Sequence, residues 1–172
     1  MKRWLIAGIA GFLFLSAPVM AQNDQMCRAI TAILRDVPNG FKNVRGRMIE
    51  SGFNMTTWHT SVKVPHVVSE RFVQSMGLFY EGAFAQSRNV KDLGPYYERL
   101  REILAGCLAP MGYTATEQDH VGEGEIPYKK IVYMKEPADG EAEKTLPPHV
   151  ALEAIYNKQV GLYTLVLYIF DK

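Results

Sequence analysis

Cysteine is scarce in this chain, with only Cys27 and Cys107 and no C-x-x-C pair, which removes the usual dithiol redox motif. The four histidines, His59, His66, His120 and His149, never stand three or four residues apart, and no H-E-x-x-H occurs. There is no G-x-S-x-G, no G-x-G-x-x-G and no P-loop; Gly122-Glu123-Gly124 lacks both the third glycine and the strand–helix context. Ser61, Ser69 and Ser75 fall in strand-like segments, where a hydroxyl on a solvent face is the ordinary explanation. Glu70, Glu81, Glu117 and Glu153 lie on candidate strands, but nothing selects two of them as a facing carboxylate pair. Asp119-His120 with Glu123 and Glu125 reads as a solvated acidic turn. The expectation is no metal, no cofactor and no catalytic constellation.

Charge of one sign is lacking too. The chain has 19 Lys and Arg against 18 Asp and Glu, with the basic residues scattered, so an electrostatic surface for nucleic acid is not expected. No fixed-period repeat is evident, and long apolar runs are missing. Trp4 to Leu15 is shorter than the roughly 20 residues that span a bilayer.

That run instead reads as the h-region of a secretory signal peptide over residues 1–21. Lys2 and Arg3 precede it, and Ser16-Ala17-Pro18-Val19-Met20-Ala21 supplies the small residues of an A-x-A-type cleavage site. The expected mature chain, residues 22–172, then has 17 basic and 18 acidic residues and is a single α+β domain without a stable membrane anchor. The expected location is the periplasm or the extracellular medium.

Asp24 to Val37 carries Met26, Ile30, Ile33, Leu34 and Val37 at helical spacing, with Asn23 or Asp24 as cap and Pro38-Asn39-Gly40 as stop. The pattern then shortens toward a period of two. Phe41–Glu50 and Phe53–Val64 read as strands around a Ser51-Gly52 turn, with Trp58, Val62 and Val64 on one face and Thr57, His59, Ser61 and Lys63 on the other. Val68, Phe72 and Met76 suit a third strand or a helical turn, and Leu78–Ala85 a further strand with Leu78 and Tyr80 inward. A second helix runs from Pro95 to Pro110, its face formed by Tyr96, Tyr97, Leu100, Ile103, Leu104, Cys107 and Leu108. Met111–Gln118 is extended, Asp119–Glu125 a polar loop, Tyr128–Lys135 a strand and Glu136–Pro148 a mobile connector. Val150–Tyr156 and Gly161–Phe170 close the chain as a hairpin around Asn157-Lys158-Gln159. Leu162 to Phe170 is apolar on nearly both faces, which suits a central strand or a partner interface.

The expected fold is α+β: two layers, a mainly antiparallel sheet with two amphipathic helices on one face, in the order α-β-β-β-(β)-α-β-β-β-(β). In element order alone this resembles type III secretion chaperone-like domains, which also place a first helix before a strand meander. Cys27, in the first turn of one helix, and Cys107, in the last turn of the other, would meet as a disulfide if the helices pack antiparallel.

Tyrosine is the compositional excess, at nine residues. Trp58, His59, Tyr80, Tyr128, Tyr133, Tyr163 and Tyr168 are candidate binding residues, because Tyr and Trp bring large area with a polar handle; sheet cover explains the tyrosines equally simply. The expected function is a small exported, non-enzymatic binding or accessory domain acting through a protein partner or self-association. A small secreted hydrolase or ligand-processing enzyme using His59 or strand carboxylates is the alternative. A periplasmic immunity or inhibitor protein is a specialised form of the first reading.

Overall fold

The computed structural model describes residues 17–121, 127–136 and 147–171. Its elements are α1 (Ala17–Asp36), β1 (Arg45–Ser51), β2 (Thr56–Thr60), β3 (Ser69–Gln74), β4 (Leu78–Ser87), α2 (Gly94–Leu108), β5 (Tyr113–Val121), β6 (Pro127–Lys135), β7 (His149–Asn157) and β8 (Leu162–Phe170). The eight strands form one antiparallel sheet in the order β1-β2-β3-β4-β8-β7-β6-β5, so the chain is of the α+β class. That order is a palindrome. A helix followed by a four-strand meander occurs twice, and the last strands of the two units, β4 and β8, pair at the centre.

The two units also share a helix stop. Val37-Pro38-Asn39-Gly40-Phe41 and Ala109-Pro110-Met111-Gly112-Tyr113 each make one turn of 3-10 helix. Each turn ends on a left-handed glycine, at φ +63° and +82°, and the aromatic that follows is buried. Proline cannot continue the helical ladder, and glycine reverses the chain without a steric penalty.

The first helix departs from the sequence expectation at its start. The helix already runs through Ala17 to Asn23, the first described residues, so neither Asn23 nor Asp24 caps it. Cys27 is therefore in the middle of α1, not in its first turn, while Cys107 lies in the last turn of α2. The two cysteines are bonded, with a Cα separation of 5.2 Å and 80 residues between them in sequence. One turn further along both segments, the Thr31 hydroxyl donates to the Met111 sulfur at 3.8 Å.

Several strand boundaries are also corrected. Phe41 to Val44 is not strand, because the Asp36 carboxylate draws this segment into a turn. It accepts from the side-chain amides of Asn39 and Asn43 and from the backbone N–H groups of Asn43 and Val44. The expected long strand Phe53–Val64 shortens to Thr56–Thr60. Phe53 to Met55 belongs to the hairpin turn, closed by Gly52 N–H to Met55 O at 2.8 Å. Residues 61–68 form a loop anchored by Val62, Val64 and Val67 against the core. The segment around Phe72 is strand rather than helical turn, leaving Val68 and Met76 outside it and exposed. Asp119 to Val121 extends β5 instead of opening a loop. The rest of that loop, 122–126, and most of the connector, 137–146, lie outside the described residues.

Alternation decides which strand residues enter the core. Phe72 of β3, Tyr80 and Phe84 of β4, Ile131 and Tyr133 of β6, Val150 and Leu152 of β7, and Tyr163, Leu165, Leu167 and Ile169 of β8 join one cluster with buried residues of both helices. A polar contact is built into it. The Tyr80 hydroxyl donates to Glu70 at 3.1 Å, and Glu70 also accepts Val64 N–H at 3.3 Å and pairs with Lys63 at 3.0 Å, which clamps the 61–68 loop. Residue 82 is glycine for this reason: a Cβ there would stand 2.7 Å from the Tyr80 hydroxyl.

Two outcomes follow for stability. Closing an 80-residue loop constrains the unfolded chain by about 4–5 kcal/mol, so Cys27→Ser/Cys107→Ser should lower the urea midpoint by up to that free energy. A variant within about 1 kcal/mol of wild type would show that the bond adds little. Burial opposes ionisation of Asp36, but its four hydrogen bonds outweigh burial and hold the carboxyl below the ordinary range. A depressed folded pKa gives stability that is present above about 3.9 and lost as pH falls through the folded value. Asp36→Ala should cost about 1–3 kcal/mol at pH 7 by leaving buried donors unpaired, and the cost should shrink in acid. Denaturant melts from pH 7 to pH 3 measure both.

Candidate functional site

The other parity of the same strands builds a second sheet surface. Cross-strand register sets Val73, Phe79, Phe170 and His149 in one row and Arg71, Glu81, Tyr168, Ala151 and Val132 in the next. None of these belongs to the core cluster shared with the helices. The small and aliphatic members Val73, Val132 and Ala151, with Val166 in the following row, are nevertheless buried, whereas the aromatics stay partly exposed.

Those aromatics touch one another. Phe79 meets Tyr168 at 5.8 Å and Phe170 at 5.4 Å between ring centroids, and Tyr168 meets Phe170 at 5.5 Å. The His149 ring stacks on Phe170 at 4.5 Å. Burial, then the Lys130 charge, pushes the His149 pKa down, so the ring stays neutral at neutral pH and acts as an aromatic plate. Two ion pairs frame the cluster, Arg71–Glu81 at 2.8 Å and Lys130–Glu153 at 3.2 Å. Burial, then the charges of Glu81 and Glu153, pushes the Tyr168 phenol above its ordinary range. The centre of this surface is thus aromatic, with Arg71, Glu81, Lys130 and Glu153 beside it held in ion pairs.

This cluster reaches one end of the sheet. Phe79 opens β4, Phe170 closes β8 and His149 opens β7, and at that same end stand the β1–β2 and β3–β4 turns. The turns carry Phe53 and Met76, 102% and 105% exposed, with Met55 beside them and Met48 and Ile49 exposed on the edge strand β1. Large apolar side chains at turn tips gain nothing for the fold, so this group is an exposed apolar patch that packing does not explain.

The sequence-derived candidates scatter. Tyr80, Tyr133 and Tyr163 are buried, with Tyr133 donating to the Arg101 carbonyl of α2 at 3.0 Å. Trp58 packs partly buried against the core, with the Arg45 guanidinium 4.3 Å from its ring, and His59 is exposed on β2. Tyr128 is on β6, and its side chain is outside the described part. Tyr168 alone belongs to the aromatic cluster. Phe53, Met76, Phe79, His149 and Phe170 are not among the sequence-derived candidates. Phe53 and Met76 had a signal, since each is a large apolar residue beside a turn-forming Ser or Gly, where polar residues are the rule.

Among the described residues no three His, Cys, Asp or Glu side chains gather as metal ligands, and no helix is long and apolar enough to cross a membrane. Comparison with family models, curated proteins and solved structures returned no match.

Alkaline titration reads the burial directly. Burial, with nearby carboxylates, raises Tyr80 and Tyr168 well above the ordinary phenol value and Tyr97 to about 12, and burial alone is the main cause of about 12 at Tyr133. A raised folded pKa favours the neutral phenol, so the stability it supplies is complete below about 10 and is lost as pH rises through the folded value. Absorbance near 295 nm should show these tyrosines ionising late, with unfolding as they do, and Tyr168→Phe should remove one from the late group. All nine titrating together near pH 10 would contradict this arrangement.

Proposed function

We propose that the chain is a small exported, non-enzymatic binding or accessory domain that acts by contact with a partner protein. Export rests on the signal-peptide pattern of residues 1–21, and the disulfide suits an oxidising compartment such as the periplasm. We read α1 and α2 as covering a single face of the sheet, because residues of both pack with the same strand parity. The opposite face is then the contact surface.

The observation that carries this reading is that the Phe79–Tyr168–Phe170–His149 cluster and the exposed tips Phe53 and Met76 stand at the same end of the sheet. Arg71 and Lys130 are each paired within the face, and Glu50, in register with Thr57 and Val73 on the edge strand, is its one exposed charge without an ion pair among the described residues, so the face carries little net charge to steer a strongly charged partner. The fitting partner is an uncharged, apolar protein surface, buried as the centre of an interface with the ion pairs at its rim.

A photo-crosslinking amino acid at position 53, 76 or 79 of the mature, oxidised protein should trap one protein in envelope extract, while the same group at Lys91 traps none. The trapped protein, purified, should bind wild type and lose about tenfold or more in affinity for Phe53→Asp/Met76→Asp, a change at exposed positions that leaves the fold intact. Equal crosslinking from all four positions, or unchanged affinity of the double variant, would reject the surface. A crosslink to a second copy would assign the face to self-association.

A further inference from the structure

A groove lies at the opposite end of the sheet from the apolar tips. Its volume is about 270 Å³, and its floor is apolar: Met26 of α1, Phe84 of β4, and Leu100 and Ile103 of α2. Its polar lining comes from His66, Tyr96 and Arg99. Tyr96, Arg99, Leu100 and Ile103 stand three or four residues apart and so share one stripe of α2, which places a guanidinium beside a greasy floor.

Two features make this a built site. His66 is held, not loose: Val64 and Val67 anchor its loop, Glu70 accepts the Val64 N–H, and Val67 N–H returns to Val64 O at 3.4 Å. The loop carries His66 with φ +65°, a left-handed conformation that a non-glycine residue adopts at some cost. The second feature is charge. Lys63 of the same loop as His66 is paired with Glu70, and Arg101 of the same helix with Glu98 and Glu117, yet Arg99 makes no ion pair among the described residues. No carboxylate lines the groove.

We propose that this groove binds a small amphipathic monoanion, with its acidic head on Arg99 and its apolar tail over Met26, Phe84, Leu100 and Ile103. A guanidinium accepts a carboxylate or phosphate head as a forked, charge-assisted pair, and the His66 imidazole and Tyr96 hydroxyl supply further donors. The volume is at the small end for ligand pockets; at about 30 Å³ per water it holds roughly nine heavy atoms. A medium-length acyl or aromatic acid matches that size. The site is separate from the protein-contact surface and does not rest on it.

Octanoate, octanol and octylammonium are the probes, titrated into the oxidised protein by calorimetry and followed by amide shifts in NMR. Octanoate should bind saturably, octanol about tenfold or more weakly, and octylammonium more weakly again. Arg99→Gln should reduce octanoate affinity to that of octanol while leaving octanol unchanged. Ile103→Trp should fill the groove and abolish binding of all three, with near-ultraviolet circular dichroism confirming the fold. Equal binding of octanoate and octanol, no effect of Arg99→Gln, or no saturable octanoate binding would overturn the proposal. Binding to anionic phospholipid vesicles without binding of free octanoate would also overturn it, assigning Arg99 to a membrane surface.

Discussion

The pairing of β4 with β8 is the constraint on which the architecture depends. Each unit, a helix and its meander, ends in a strand with an unpaired edge, and the two edges satisfy one another from Phe79–Phe170 to Ser87–Tyr163. Partners so far apart in the chain meet only when nearly all of it is present, which makes this contact expensive in loop entropy. The strong apolar character of Leu162 to Phe170 offsets that cost. One parity of β8 fills the core beneath the helices, and the other places Val166, Tyr168 and Phe170 on the second face. The disulfide restrains the same two units through their helices, so helix and sheet layers are each tied across the junction.

Two polar groups inside this frame set loops. Asp36 fixes the turn from α1 into β1, and Glu70 with Tyr80 fixes the loop between β2 and β3. Both are buried acceptors whose hydrogen-bonding capacity is used by neighbouring backbone and side chains. The consequence is a sheet with two different ends. One presents Phe53, Met76 and the aromatic cluster; the other presents His66 beside Arg99 and an apolar groove.

Much of the fold was legible because periodicity reports burial. The Tyr97–Leu108 stripe and the alternation of Leu162–Phe170 located α2 and β8 closely. Local chemistry misled where a distant group intervened. Phe41 looks like a strand opening, but Asp36 takes the N–H groups that a sheet would have used. Asn23 and Asp24 look like caps, but the residues before them continue the helix. The tyrosines illustrate a deeper ambiguity, since the same side chain suits a core, as at Tyr80 and Tyr133, or an interface, as at Tyr168. The parity of a strand relative to the helices separates those roles, and a lone strand does not carry it.

The repeat is instructive in the same way. Pro38-Asn39-Gly40-Phe41 and Pro110-Met111-Gly112-Tyr113 stand in the sequence as matching helix stops, but no fixed period surrounds them. What the amino-acid sequence determined by itself was local: two amphipathic helices ended by Pro and Gly, alternating strands, two cysteines and near-neutral charge. Only tertiary structure decided which edges pair, which parity faces the helices, and that Cys27 meets Cys107 from mid-helix. It also decided that Arg99 comes to lie across a groove from a loop more than thirty residues away. Propensity and period act over a few residues. Register, burial and charge compensation are settled between segments that only the folded chain brings together.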